Sequence, residues 1–243
     1  MAAFELICKV SGTEWITPTV FLLRFIPPQK LDFLPGQWAS LVIPGAGKEG
    51  KDLRRAYSIS SPPEQSEIEL CIKLVPNGPG TQYLSKLKPG ENLKVFAPYG
   101  AFVYKPKLDR RVVFLATGTG ISPFRCMTKS ELFKNNPPAE VLCLFGGREQ
   151  EEVLFENDFA KQVHTKFVPC LTRASSGWNG FRGRITDYLR SEFKSDAWEN
   201  TDFYLCGNGA MIDEAKLILA EKGIGRDSIH QEIYYKPKPG EQV

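Results

Sequence analysis

The sequence predicts two domains of different class: an N-terminal antiparallel β-barrel, then an α/β doubly wound parallel sheet. Three observations carry this. Residues 4–104 read as short strands with period-two alternation, punctuated by turns bearing Pro and Gly. After Lys105, continuous apolar runs alternate with helical patterns, the signature of βαβ units whose sheet is covered on both faces. A Gly-rich turn, Thr117–Gly120, follows the first of those apolar runs. The length of 243 residues accommodates two domains of about 100–150 residues each.

In the first half, Phe4–Val10, Val20–Phe25, Gln37–Ile43, Ala56–Ser60, Glu67–Leu74 and Asn92–Ala97 read as strands. Pro27-Pro28, Pro35-Gly36, Pro44-Gly45, Pro79-Gly80 and Pro89-Gly90 supply the turns. One helical stretch, Thr81–Leu87, interrupts them. In the second half, Arg111–Ala116, Val141–Phe145, Phe167–Leu171, Phe203–Cys206 and Ile229–Tyr234 read as strands. Helices are expected over Ser122–Phe133, Phe155–His164, Gly183–Phe193 and Ala210–Lys222. The boundary falls in the charged linker near Pro106–Asp109, giving domains 1–106 and 107–243.

Composition excludes several classes. A net charge of +3 is too small for a nucleic-acid binder. The longest apolar run, around Val112–Ala116, is far short of the ~20 residues of a membrane span. The N-terminus lacks a basic leader before an apolar stretch, so a cytoplasmic protein is expected. The six cysteines, at 8, 71, 126, 143, 170 and 206, lack metal-ribbon or iron–sulfur spacing and read as buried thiols. With only His164 and His230, no metal site and no Ser-His-Asp triad is expected.

Four motifs carry chemistry. Thr117-Gly118-Thr119-Gly120-Ile121-Ser122-Pro123 lies between strand and helix, where glycines let backbone N–H groups approach a phosphate. Cys206-Gly207-Asn208-Gly209-Ala210-Met211 follows a later strand, so two glycine-bearing strand ends define one crevice with Cys206 at its lip. Arg54-Arg55-Ala56-Tyr57-Ser58 places Arg55 and Tyr57 on one strand face, a two-pronged phosphate donor beside a flat ring. Gly78-Pro79-Gly80-Thr81 opens a short helix as a second anion cradle. Singly, each has a plainer reading: a tight turn, a small buried thiol, a solvated strand, a hairpin.

Together and in this order, the motifs resemble the ferredoxin–NADP⁺ reductase family over nearly the whole chain. The match rests on R-x-Y-S at Arg55–Ser58, G-x-G-T at Gly78–Thr81, G-T-G-I-S-P at Gly118–Pro123 and C-G-N-x-x-M at Cys206–Met211. The resemblance implies FAD in the barrel and NADP, as NADPH, in the second domain. Arg55 would pair with a flavin phosphate, Tyr57 would lie along the ring and ribityl, and Ser58 would reach N5. Ala56 and the strand Cys71, Ile72, Lys73 and Leu74 would line the flavin. Gly78, Gly80 and Thr81 would cradle its pyrophosphate. Thr117, Gly118, Thr119, Gly120, Ser122 and Pro123 would hold the NADP pyrophosphate, with Gly207 and Met211 completing the site and Cys206 beside nicotinamide C4.

Arg148, Thr172, Arg173 and Arg184 resemble the clamp for the 2′-phosphate, while Glu149 resembles the ribose-binding carboxylate of NADH users. Tyr234 or Tyr235 would cover the flavin, and Glu232 would serve proton transfer; an ordinary last strand with a frayed tail, Lys236–Val243, is the other reading. Ser58, Cys206 and Glu232 are thus the catalytic candidates. The implied reaction moves a hydride from NADPH to flavin and single electrons to a separate ferredoxin or flavodoxin, or the reverse. The expected chain is a monomer with no fused iron–sulfur domain. The rivals are a free-flavin reductase, a reductase subunit feeding an oxygenase or haem protein, and a non-catalytic nucleotide sensor.

Overall fold

The computed structural model describes residues 3–162, 164–193 and 198–235, and the C-terminal segment 236–243 lies outside them. The chain forms two compact units. The first contains the residues up to Tyr104 together with Ser122–Lys134; the second contains Lys105–Ile121 and the residues from Asn135 onward.

The first unit is a six-stranded antiparallel sheet. Its strands are β1 (Phe4–Thr17), β2 (Val20–Ile26), β3 (Trp38–Ile43), β4 (Leu53–Ser58), β5 (Ile68–Lys73) and β6 (Asn92–Tyr99), in the spatial order β4-β3-β6-β1-β2-β5. The sheet curls until its edges meet. Ile59 bridges Leu70, and the Ser60 N–H donates to the Glu69 carbonyl at 2.8 Å. The core inside the curl is apolar, built from Phe21, Leu23, Leu41, Leu70, Val95 and their neighbours. Helix α1 (Pro79–Leu84) follows β5.

Helix α2 (Ser122–Lys129), although it follows the Gly-rich turn in sequence, belongs to this first unit. Ser122, Pro123, Phe124, Cys126, Met127 and Thr128 are all buried. Its Arg125 pairs with Glu69 of β5 and donates to Ser60 Oγ at 3.1 Å. The second carboxylate oxygen of Glu69 accepts from Arg24 Nε at 2.7 Å, and Arg24 also pairs with Glu14. A carboxylate bracketed by two guanidinium groups thus holds α2 against the barrel wall. Desolvating such a group is offset only because both its oxygens are bonded to cations.

The second unit is a six-stranded parallel sheet. Its strands are β7 (Arg111–Thr117), β8 (Glu140–Gly147), β9 (Thr165–Leu171), β10 (Phe181–Arg182), β11 (Thr201–Asn208) and β12 (Ile229–Tyr235), in the order β10-β9-β8-β7-β11-β12. The chain runs outward from β7 to β10 and then returns to the other side of β7. That reversal puts the topological switch point between β7 and β11. The other α-helices among the described residues are α3 (Glu131–Asn135), α4 (Glu156–Ala160), α5 (Ile185–Ser191) and α6 (Gly209–Glu221), with α3 lying mostly in the first unit. Strand faces and helix faces meet in a core that includes Val113, Leu115, Leu205, Ile212 and Leu219.

The differences from expectation have local causes. β1 continues to Thr17 because a bulge between Val10 and Gly12 carries the strand past the polar Ser11-Gly12. β4 begins at Leu53 and ends at Ser58, so both Arg54 and Arg55 are strand residues. The short helix sits at Pro79–Leu84 rather than Thr81–Leu87, because Pro79 pre-sets its first turn. The helix expected over Ser122–Phe133 breaks at Ser130, whose hydroxyl donates to the Met127 carbonyl and accepts from the Phe133 N–H. The helix expected over Phe155–His164 is shorter: Phe155 has φ 57° and stands before the first helical residue. β10 has only two residues, and no apolar run announces it.

Candidate functional site

In the first unit, the Ile59–Leu70 bridge is the one pairing recorded between β4 and β5 among the described residues. β4 pairs with β3 and β5 with β2, so each keeps an edge turned toward the other. Tyr57 and Ser58 lie on one side of this parting, Cys71 and Ile72 on the other. Ser58 is buried and Tyr57 half-buried against the barrel core, where burial pushes its hydroxyl up to about 12. That hydroxyl is therefore a neutral donor at any working pH. Ala56 is exposed. Burial also pushes the Cys71 thiol up to about 12, with a hydrogen bond from Ser122 opposing the shift.

Arg54 and Arg55 are neighbours with different roles. Arg54 donates to Ser40 Oγ (3.0 Å) and Tyr99 Oη (3.2 Å) and stacks on the Phe96 ring at 4.0 Å. Its guanidinium is thereby held on the sheet surface. Arg55 has one internal bond, to the Arg54 carbonyl, and its stem lies against Gly80. A Cβ on the buried Gly80 would meet Arg55 Cγ at 3.4 Å. The structure thus brings R-x-Y-S and G-x-G-T together. Thr81 differs from expectation in one respect: its hydroxyl accepts from the Val75 N–H at 3.0 Å and closes its own turn. The backbone of Gly80 and Thr81 thus lies beside the Arg55 side chain. A basic fork beside a glycine turn, next to parted strand edges, fits a phosphate-bearing planar cofactor.

In the second unit, the carboxyl ends of β7 and β11 form a floor of backbone. A Cβ on Gly120 would lie 2.4 Å from the Cys206 carbonyl oxygen, and one on Gly207 only 2.3 Å from Thr117 Oγ1. Gly207 has φ 122°, a conformation that only glycine adopts easily. Thr117 Oγ1 accepts from the Asn208 N–H at 2.8 Å and ties the two strand ends together. Gly118 has φ 52°, yet a Cβ there would meet no atom within 4 Å. The turn is closed at Gly120 and open at Gly118, which suits close approach by a pyrophosphate. Asn208 caps α6 through Ala210 N–H, and Met211 packs partly buried against the core. Ser122 and Pro123, which follow the turn, are buried and belong to the first unit.

Cys206 lies deeper than a lip. It is fully buried, and burial raises its thiol well above the usual range, with Glu232 raising it further and the Tyr234 hydroxyl hydrogen-bonding to it. It is a neutral thiol under a tyrosine, not an activated nucleophile. Cys206 faces Glu232 across the β11–β12 ladder. Tyr234 and Tyr235 are exposed.

Three arginines gather at the carboxyl edge of β8, β9 and β10. Arg173 N–H donates to the Arg148 carbonyl (2.7 Å), Thr172 N–H to the Gly147 carbonyl (3.2 Å), and Gly183 N–H to the Leu171 carbonyl (3.0 Å). Arg184 precedes α5, its N–H bonded to Asp187 Oδ2 at 2.8 Å. Arg148, Arg173 and Arg184 are exposed, and among the described residues no side chain pairs with their guanidinium groups. Glu149 is exposed beside them. Arg182, which sequence reasoning passed over, bonds the intervening loop; its only signal was position between Gly180 and Gly183.

Both units resemble domains of known proteins. Residues 7–104 match the family model described as an oxidoreductase FAD-binding domain, and residues 114–216 the one described as an oxidoreductase NAD-binding domain. Ferredoxin–NADP reductase B of Sorangium cellulosum is 31% identical over 212 residues, covering 83% of this chain and 85% of that protein. The anthranilate 1,2-dioxygenase electron transfer component of Acinetobacter baylyi is 33% identical over 235 residues, 93% of this chain and 66% of that protein. The chain therefore spans about two thirds of that oxygenase component. Among solved structures, a ferredoxin NADP⁺ reductase from Neisseria gonorrhoeae superposes with a TM-score of 0.83 at 23% identity, covering 97% of this chain and 100% of that one. The Amycolatopsis cytochrome P450 reductase GcoB also superposes at 0.83, covering 97% of this chain and 71% of that one. The chain belongs to the ferredoxin–NADP⁺ reductase family of FAD- and NAD(P)-binding oxidoreductases.

Proposed function

We propose that this enzyme is an FAD-dependent reductase that exchanges electrons between NADPH and a separate one-electron carrier, a ferredoxin or a flavodoxin. The observation that carries the choice of NADPH is the set of uncommitted guanidinium groups of Arg148, Arg173 and Arg184 at one sheet edge. A phosphate dianion is what such a cluster recognises, and the 2′-phosphate is where NADPH differs from NADH.

Bound FAD supplies the conversion between two-electron and one-electron transfer. The protein's part is placement. Arg55 and the backbone of Gly80 and Thr81 neutralise the flavin phosphates, while Gly78 closes the turn before them. Ala56, Tyr57 and the edge of Cys71, Ile72, Lys73 and Leu74 enclose the ring, and Ser58 presents its hydroxyl to N5. Thr117–Gly120 and Gly207 take the NADPH pyrophosphate, and Thr172 sits at the base of the arginine edge. Cys206 offers a small neutral face to the nicotinamide once Tyr234 moves aside. Glu232 serves proton transfer nearby, and Tyr235 shields the same edge.

The domain limits 1–106 and 107–243, a cytoplasmic location and a monomeric state belong to the same reading. No helix among the described residues is long and apolar enough to cross a membrane. A second reading, a reductase serving an oxygenase or haem protein, draws on the 93% of this chain that aligns with an oxygenase electron transfer component. The test of coenzyme choice is Arg173→Ala. It raises KM for NADPH about tenfold or more, and KM for NADH less than about twofold. An equal rise with both coenzymes removes Arg173 from the role.

A further inference from the structure

We propose that Arg182 is a positioning residue for coenzyme discrimination: its guanidinium folds the β9–β10 loop into the shape that presents Arg173 and Arg148 to the 2′-phosphate. This rests on the reading that the arginine edge takes that phosphate.

The loop Thr172–Gly180 contains Ser175-Ser176-Gly177, and nothing in that composition makes it rigid. Arg182 supplies the rigidity. Its guanidinium donates to four loop carbonyls: Ala174 (3.0 Å), Ser175 (2.6 Å), Ser176 (3.2 Å) and Trp178 (2.9 Å). The side chain is planted firmly, because Arg182 pairs with Leu171 in the β9–β10 ladder. Two further contacts brace the loop. Trp178 Nε1–H donates to the Phe181 carbonyl at 3.2 Å, and Ser175 Oγ donates to Gln150 Oε1 at 2.7 Å. A Cβ on Gly180 would lie 2.4 Å from the Trp178 ring, so the loop closes tightly on that indole.

The base of this loop is the Arg173 N–H to Arg148 carbonyl bond, at 2.7 Å. The two cations are therefore joined through their backbones, and the chain leaving Arg173 is fixed by Arg182. Arg182 spends its donors on carbonyls and acts through the loop, not on the phosphate. Gathering four carbonyl oxygens around a cation also compensates their negative ends beside an anion site. Lysine retains the charge but not the planar fork that reaches several carbonyls together.

The test uses the FAD-loaded protein and its Arg182→Lys, Arg173→Ala and Ser175→Ala variants. Steady-state kcat and KM are measured with NADPH and NADH, and calorimetry gives the affinities for 2′-phospho-AMP and 5′-AMP. Arg182→Lys is expected to raise KM for NADPH and Kd for 2′-phospho-AMP about tenfold, while the 5′-AMP affinity and KM for NADH change less than about twofold. Ser175→Ala, which removes only one brace, shifts the same two constants about two- to threefold. Equal losses with both coenzymes, or no shift in either variant while Arg173→Ala remains selective, overturn the inference alone. If Arg173→Ala is itself unselective, the underlying reading of the arginine edge falls first. Should Arg182→Lys fail to fold, the Ser175→Ala result decides.

Discussion

The two units use the same two residue types, glycine and arginine, in opposite ways. In the first, glycine makes room for a side chain: Gly80 lies against the flexible stem of Arg55, and a Cβ there would sit at 3.4 Å. In the second, glycine makes room for backbone: a Cβ on Gly120 would lie 2.4 Å from the Cys206 carbonyl oxygen, and one on Gly207 2.8 Å from the Thr117 carbonyl oxygen. The arginines differ in the same sense. Arg55 has one internal bond, to the Arg54 carbonyl, whereas Arg148 and Arg173 are joined through their backbones. An antiparallel sheet with parted edges recognises a ligand with side chains and exposed strand backbone. A parallel sheet recognises it at a switch point with turns, where any side chain is in the way.

Substituting alanine for one glycine in each unit is the sharpest way to break this comparison. Gly120→Ala is expected to cost about 2–4 kcal/mol of stability and to reduce NADPH-driven flavin reduction at least about 100-fold, with the flavin still bound. Gly80→Ala displaces only a flexible stem and weakens flavin binding severalfold. Flavin retention after gel filtration, read beside the thermal melt, separates the two. If both variants behave alike, the distinction between side-chain and backbone recognition is wrong.

A second prediction concerns what holds the first unit together. Glu69→Gln leaves the Arg24 and Arg125 guanidinium groups short of their shared counter-charge, at a cost of about 3 kcal/mol. That corresponds to a Tm lower by roughly 6–12 °C for a protein this size, read by calorimetry. No equivalent network is expected to surface from single charge removals at Arg148 or Arg173, which leave Tm within about 1–2 °C.

The neighbouring arginines of β4 sharpen the contrast inside the first unit. Arg55→Ala lowers flavin affinity about 10–100-fold with little change in Tm, because its bonds await a phosphate. Arg54→Ala lowers stability by about 1 kcal/mol and leaves flavin affinity within about twofold, because its guanidinium is already committed to Ser40, Tyr99 and Phe96. Fluorescence titration of the apoprotein with FAD reads the first effect and chemical denaturation the second.

The smallest effect is a pH dependence confined to the second unit. The His230 ring lies tilted against Tyr204 at 4.5 Å between centroids, with its buried Nε2 lacking a hydrogen-bond partner among the described residues. Burial lowers its pKa below 6.5, and Lys105 and Lys107 lower it further against the opposing pull of Asp202. The unfolded chain then binds the proton first as the solution is acidified. Stability from this residue is complete above about pH 6.5 and declines as pH falls through that value toward the folded pKa. The Tm of the parent protein therefore falls more steeply between pH 7 and 5 than that of His230→Phe.

Much of this was legible in the sequence because its signals are local. The strand–turn–helix segments at Thr117–Pro123 and Cys206–Met211 announce themselves through glycines next to apolar runs, and the change from period two to βαβ rhythm marks the two units. What was hidden depends on partners far apart in the chain. Glu69 meets Arg24 and Arg125 from 45 and 56 residues away. The hydrogen bond of Ser122 with Cys71, 51 residues earlier in the chain, is likewise invisible in the sequence. Cys206 reads as the lip of a crevice at a strand end, yet it is fully buried and hydrogen-bonds to Tyr234 of the neighbouring β12. Arg182 offers no motif at all, since its acceptors are backbone carbonyls that any sequence possesses.

The most direct test of the central claim is an anaerobic titration of the purified, FAD-loaded protein with NADPH and, separately, with NADH, following the flavin absorbance band. The account predicts a tightly held flavin that bleaches at a far lower concentration of NADPH than of NADH. Equal bleaching by both would contradict the arginine edge as a 2′-phosphate site. A colourless protein that oxidises NADPH only when free flavin is added would contradict the resident FAD site itself.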